Sequence, residues 1–285
     1  MALFWCCASQ AQAAGERINV IAKPVEFSIL DPERREFGEL RYLGGLILES
    51  RDKRFGGFSG LVLTRQGRRL LTVSDQGWWM SAELDYAGGR LSNLSKVRFG
   101  PLVNKRGKRW RRKRFQDAEA IATFGADESA GVLVGYERRP RMQLYKVDAE
   151  GLTGRPKPIA VPKAMKKGRK NKELEAVGRF GAGPNAGKYI ALSEANLDKN
   201  GNVKGWMWRP GHKAERFSIR RRRDYSVTDL AILRGGDVAI LERRLGFLKL
   251  PGTAIRLIKA SALKKGATVD GRVLMEAAAP AQLVD

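Results

Sequence analysis

The sequence predicts an all-β chain, and three observations carry that expectation. A pattern of apolar run, Gly-bearing turn, second apolar run and carboxylate returns four times. The runs are short, aliphatic or β-branched, and bounded by Gly, Asp or Asn, as strands are. No segment sustains a helical period, and residues 259–265 offer a short turn at most.

The first copy runs from Ser59-Gly60-Leu61 to Val73-Ser74-Asp75, and the second from Glu119-Ala120-Ile121 to Gly135-Tyr136-Glu137. The third runs from Glu175-Ala176-Val177 to Leu192-Ser193-Glu194, and the fourth from Thr228-Asp229-Leu230 to Ile240-Leu241-Glu242. The anchors Leu61, Ile121, Val177 and Leu230 are spaced by 60, 56 and 53 residues. A strand–turn–strand repeat of about 50 residues reads as a propeller blade. The expectation is therefore one β-propeller domain over residues 16–285, with about six four-stranded blades and five as the alternative. Each blade would deliver its acidic residue at an equivalent point, so the carboxylates should converge around one axis.

Each element has a local reason. Leu61-Val62-Leu63 and Leu70-Leu71-Thr72-Val73 flank Arg65-Gln66-Gly67-Arg68, a hairpin turn whose Gly accepts positive φ. Ala231-Ile232-Leu233 and Val238-Ala239-Ile240-Leu241 flank Arg234-Gly235-Gly236-Asp237 in the same way. Val132-Leu133-Val134 and Tyr189-Ile190-Ala191-Leu192 supply the other second strands. Outer strands follow at Met142 to Val147, at Trp206-Met207-Trp208 and at Ile255 to Ile258. Val25 to Leu30, Leu40 to Leu48 and Val273-Leu274-Met275 lack the motif and are expected to complete one or two blades by joining the termini.

The start of the chain reads as processing. Ala2-Leu3-Phe4-Trp5-Cys6-Cys7-Ala8 is apolar and Ala11-Gln12-Ala13 is a small-residue cleavage site, so residues 1–13 are expected to be a secretory signal. The basic start is missing, which a start codon placed too late accounts for. Cleavage removes Cys6 and Cys7, the two cysteines, and leaves no disulfide, thiolate ligand or Cys nucleophile. The expected location is periplasmic or secreted. No later apolar run approaches the roughly 20 residues of a membrane span.

The net charge of +24 selects anionic partners. Residues 105–114 carry eight cations in ten positions, and Arg220-Arg221-Arg222-Arg223 forms another run. The expected partner is a small anionic or phosphorylated ligand, or an anionic envelope component. Nucleic acid is not expected, because only Trp110 interleaves the cations and base stacking needs more. The chain is expected to act as a monomer.

His212 is the only histidine, which excludes histidine phosphatase, Ser-His-Asp and His-rich zinc chemistry. It sits in a Pro210-Gly211-His212-Lys213 turn and is read as a surface residue. The repeated carboxylates carry the chemistry instead. Asp75, Glu119, Glu137, Glu175, Glu194, Asp229 and Glu242 form the candidate metal set, with Asp117 beside them. Converging carboxylates repel unless neutralised, and hard oxygen donors suit calcium or magnesium. Glu119, Glu137 and Glu175 are the catalytic candidates, and Arg138, Arg139, Arg243 and Arg244 the candidates for holding an anion. The other reading is a structural ring of carboxylate–guanidinium pairs, with Arg138 and Arg139 against Glu137 and with Arg243 and Arg244 against Glu242. Asp198-Lys199-Asn200-Gly201-Asn202 is read as a hairpin turn rather than a calcium loop, and Trp78-Trp79 as packing between blades.

These motifs together resemble a known family. Phe58-Ser59-Gly60-Leu61, Val73-Ser74-Asp75-Gln76-Gly77, Asp117-Ala118-Glu119-Ala120-Ile121, Tyr136-Glu137-Arg138, Glu173-Leu174-Glu175-Ala176, Leu192-Ser193-Glu194 and Leu241-Glu242-Arg243 are similar to the bacterial phytase-like proteins. The likeness spans about Gly38 to Glu276 and lies in order and spacing. It implies a propeller, export, calcium and phosphate-ester or esterase chemistry. A non-catalytic propeller that binds an envelope polyanion or a protein partner through its basic face is the alternative.

Overall fold

Strands that are apolar on both faces must be covered on both faces, and this dictates the architecture. Val132 and Val134 pack into one core, with Leu71, Val73 and Trp79, while Leu133 between them packs into another, with Val177, Tyr189 and Trp206. Alternate residues of a strand face opposite ways, so the sheet holding Val132 is sandwiched between two others. A computed structural model describes residues 15–125, 128–167, 174–222, 224–246 and 249–283 of the chain. The expected signal at residues 1–13 lies outside the described residues.

Four antiparallel four-stranded blades follow one another in a β-propeller arrangement. Blade 1 holds Phe58–Thr64, Arg69–Ser74, Trp78–Ala87 and Arg90–Pro101, with Glu16–Arg17 added at its last strand. Blade 2 holds Ala118–Thr123, Val132–Tyr136, Arg141–Asp148 and Gly151–Ile159. Blade 3 holds Ala176–Arg179, Tyr189–Leu197, Val203–Trp208 and Glu215–Ile219, with Thr268–Val269 parallel to the last. Blade 4 holds Ser226–Ile232, Val238–Gly246, Lys249–Ile258 and Arg272–Ala278. Lys113–Gln116 is the only α-helix among the described residues.

The core sits between blades. Ile190, Leu192, Met207 and Phe217 of blade 3 meet Val227, Leu230, Ile240 and Ile258 of blade 4. Trp79 is buried between blades 1 and 2, and Trp78 stacks on Phe99 at 5.3 Å. The residue 198–202 segment is a turn: Asp198 accepts from the Asn200 and Asn202 amides at 2.8 and 2.9 Å. His212 is exposed in its turn.

The expected six or five blades are met to the extent of these four. The N-terminal stretches form two-stranded sheets instead, Ile21–Val25 with Gly45–Glu49 and Glu36–Phe37 with Leu40–Arg41. The first packs Ala22, Leu46 and Leu48 on the Trp78, Met80 and Leu94 face of blade 1. Its other face stays open, with Ile21 and Ile47 exposed, so no further sheet covers it among the described residues. The termini do join: Ile29 donates to the Ala281 carbonyl at 2.9 Å and Leu283 to that of Phe27 at 2.9 Å.

Candidate functional site

The blade registers put the repeated motif in one frame. In blade 1 Phe58 pairs Ser74 and Gly60 pairs Val73, so Ser59 is the extra residue of a bulge. In blade 2 Ala118 pairs Tyr136 and Ala120 pairs Gly135, which makes Glu119 the extra residue. In blade 4 Val227 pairs Glu242 and Asp229 pairs Leu241, which makes it Thr228. In blade 3 Ala176 pairs Leu192, and Glu175 stands just before it, donating its amide to the same Leu192 carbonyl at 3.2 Å. Bulges re-aim a side chain out of the ladder. Ser59, Glu119, Glu175 and Thr228 are thus equivalent.

The same registers make Asp75, Glu137 and Glu194 equivalent, and their partner in blade 4 is Arg243, which pairs Ser226 as Glu137 opposes Asp117. Glu242 and Asp229 are each one residue out of step with the ring. A one-residue slip turns a side chain to the other face of a sheet. Glu242 accordingly faces a core, 1% exposed, and accepts two bonds from Arg256, 2.8 Å from Nε and 2.6 Å from Nη2. Glu242 is ion-paired, but with Arg256 and not with the expected Arg243 or Arg244. Asp229 is half-buried, accepts from the Leu230 amide at 2.7 Å, and is pushed up to about 7 by burial, with no other carboxylate contributing. Arg244 donates to the Leu250 carbonyl and lies over Tyr225, and Arg243 is exposed.

Blades 1 to 3 bring the remaining carboxylates together. Oxygens of Asp117, Glu119 and Glu137 lie within 4.8 Å of one another. Glu119 is pushed up to about 7, first by burial, against a hydrogen bond from Ser59, and further by Asp117, Glu137 and Asp75. Glu175 is pushed up to about 9 by burial and by Glu137, Glu194 and Glu119. Glu137 is raised by burial and by Asp117, and it shares a hydrogen bond with Glu175. Glu194 is half-buried and acts on both.

Cations rim this cluster. Arg138 Nε donates to Asp117 Oδ2 at 2.7 Å, so its carboxylate partner is Asp117 rather than Glu137. Lys113 Nζ lies 2.5 Å from Asp75 Oδ2 and 3.1 Å from Asp117 Oδ1. Arg139 covers the Phe115 ring at 4.6 Å. Lys113 belongs to the basic run 105–114, where nothing in the sequence separates it from its seven neighbours, and its role becomes visible only in the fold.

The donor set suits a hard divalent ion. Asp117, Glu119 and Glu137 offer converging carboxylate oxygens, and Asp75 Oδ1 is buried without a hydrogen-bond partner. Gly57 makes room for that oxygen, since a Cβ there would stand 2.3 Å from it. Crowded carboxylates that otherwise hold protons near neutral pH are the ones a cation neutralises.

No curated protein matches the chain. Among solved structures it is similar to a candidate 6-phosphogluconolactonase from Bacteroides uniformis, at 13% identity and a TM-score of 0.42, over 92% of this chain and 82% of that one. It is also similar to the β-propeller domain of Cps50 (Swd1) from Myceliophteria thermophila, at 10% identity and a TM-score of 0.39, over 92% and 90% of the two chains. The phytase-like family, described as "esterase-like activity of phytase", matches residues 53–285, which contain all four blades and every carboxylate of the cluster. By that match the chain belongs to the phytase-like family.

Proposed function

We propose that this propeller is an exported, calcium-assisted hydrolase of a small anionic ester, of the phosphoester or esterase kind its family suggests. One observation carries the reading: equivalent positions hold Asp75, Glu137 and Glu194 on three blades and Arg243 on the fourth. On this reading the three carboxylates would face a cation and Arg243 an anionic group. Asp75, Asp117, Glu119 and Glu137 would hold calcium, with Glu175 and Glu194 behind them. The ion would supply charge neutralisation and polarise the ester oxygen.

The chain's own groups divide the proton work. Glu119 is the group placed to take a proton from the attacking water, and Glu175, raised first by burial, the one placed to give a proton to the leaving oxygen. Arg243 and Arg138 orient the anionic group, and the guanidinium fork suits a bidentate hold. The periplasm or the exterior is the proposed location, and the monomer the proposed state. Among the described residues no helix is long and apolar enough to cross a membrane.

The test is hydrolysis of phosphate and carboxylate monoesters by purified protein with calcium. Glu119→Gln should lose about 100-fold or more in kcat, as removal of a general base does. No turnover by the wild type with any ester would refute the enzymatic reading. A binding propeller is the second reading, favoured by the exposure of Lys105, Arg106, Lys108, Arg111 and Arg112, whose side chains have no partner among the described residues. Their capture of an anionic envelope component would then be the function.

A further inference from the structure

Asp117 is the least exposed residue of the three clustered carboxylates, at 3%, and both its oxygens are taken. Oδ2 is held by Arg138 at 2.7 Å and Oδ1 by Lys113 at 3.1 Å. The Lys113 ammonium also meets Asp75 Oδ2 at 2.5 Å and the Asp75 carbonyl at 2.8 Å. Three oxygens from two blades therefore converge on one nitrogen, which is how a bridging cation is held.

Lys113 is not there by chance of a loose chain. It opens the short helix Lys113–Gln116, whose Phe115 ring stacks on Trp110 at 5.1 Å. Gln116 Nε2 donates to the Trp110 carbonyl at 2.6 Å, and Arg141 Nη2 donates to the Phe115 carbonyl. The turn is pinned from both sides, and the ammonium is delivered to the carboxylates at high effective concentration.

We propose that Lys113 sets the valence selectivity of the acidic cluster: it is a resident, tethered counter-cation that an incoming ion must displace. This rests on the metal reading above. A sodium or potassium ion brings the same charge as the ammonium and none of its tethering, so it does not win the position. A divalent ion doubles the attraction to each carboxylate, gains Glu119 and Glu137 as ligands, and does win it. The trade-off is a weaker divalent affinity than the bare carboxylates would give.

Calorimetric titration of calcium into the full protein at low and at about 0.3 M sodium chloride tests this. Lys113→Met should bind calcium about fivefold tighter at low salt, having lost its competitor. Its affinity should then fall more steeply with sodium than that of the wild type, because sodium now enters the cluster. Lys113→Arg should keep wild-type behaviour. Arg112→Met removes an exposed neighbouring charge with no side-chain partner among the described residues, and should change affinity by less than about twofold, the effect of a screened distant charge. Lys113→Met binding no tighter than Arg112→Met, or showing the wild-type sodium dependence, overturns the proposal alone. Absence of calcium binding in the wild type and all variants overturns the metal reading, and this proposal with it.

Discussion

Replacing Glu175 with Gln should stabilise the metal-free protein, and by an amount that grows with pH. Glu175 ordinarily titrates near 4.5 and is pushed up to about 9 in the fold by burial and by Glu137, Glu194 and Glu119. The folded state therefore keeps a proton that the unfolded chain releases. The stability this proton contributes is complete below pH 4.5 and is lost progressively as pH rises towards 9. Each pH unit in that window costs at most about 1.4 kcal/mol, so moving from about pH 5 to 8 costs at most about 4 kcal/mol. The proton is shared with Glu137 and the site is partly open, which reduces this to about 2 kcal/mol. Gln has the same shape, carries no charge at any of these pH values, and can donate to Glu137 itself. In EDTA the wild-type melting temperature should therefore fall by about 4–8 °C more than that of Glu175→Gln over the same pH interval. Differential scanning calorimetry of both proteins at the two pH values measures the difference. Calcium should then raise the wild-type melting temperature more than that of the variant. Parallel pH profiles in EDTA would mean that Glu175 is not held protonated by its neighbours, and the reasoning about the ring would fail.

Two further outcomes follow from the same geometry. Arg256→Met leaves Glu242 charged and buried, so denaturant melts should show a loss of about 3–5 kcal/mol, much of which Glu242→Met in the same chain should restore. Neutralising Lys108, Arg109, Arg111 and Arg112 together should weaken polyanion binding at low salt, measured by calorimetry, and leave ester turnover within about twofold, since screened loop charges act at long range.

The repeat was legible because its strands are apolar on both faces, as in Val132-Leu133-Val134 and Ile190-Ala191-Leu192, and return at a regular spacing; Leu46-Ile47-Leu48 has such a run without the spacing and forms no blade. The anchors Leu61, Ile121, Val177 and Leu230 also fall at equivalent register positions. The ring in blade 4 was not legible. Glu242 followed the expected apolar run, but its register places Arg243 at the ring position and Glu242 one step away, against Arg256. Periodicity of two cannot separate neighbours without the partner strand. The terminal stretches could be seen to lack the motif, yet their pairing depends on contacts between residues 27–29 and 281–283, which no local pattern encodes.

The extra residue in the first strands of blades 1, 2 and 4 has a consequence for how such a protein can change. Ser59, Glu119 and Thr228 interrupt the ladder, so their side chains neither pair across the sheet nor fill the core between blades. Substitution there changes the side chain that leaves the ladder while leaving the packing of Ile121 or Leu230 untouched. The scaffold can therefore exchange a hydroxyl for a carboxylate at each of these points independently without disturbing the cores between blades.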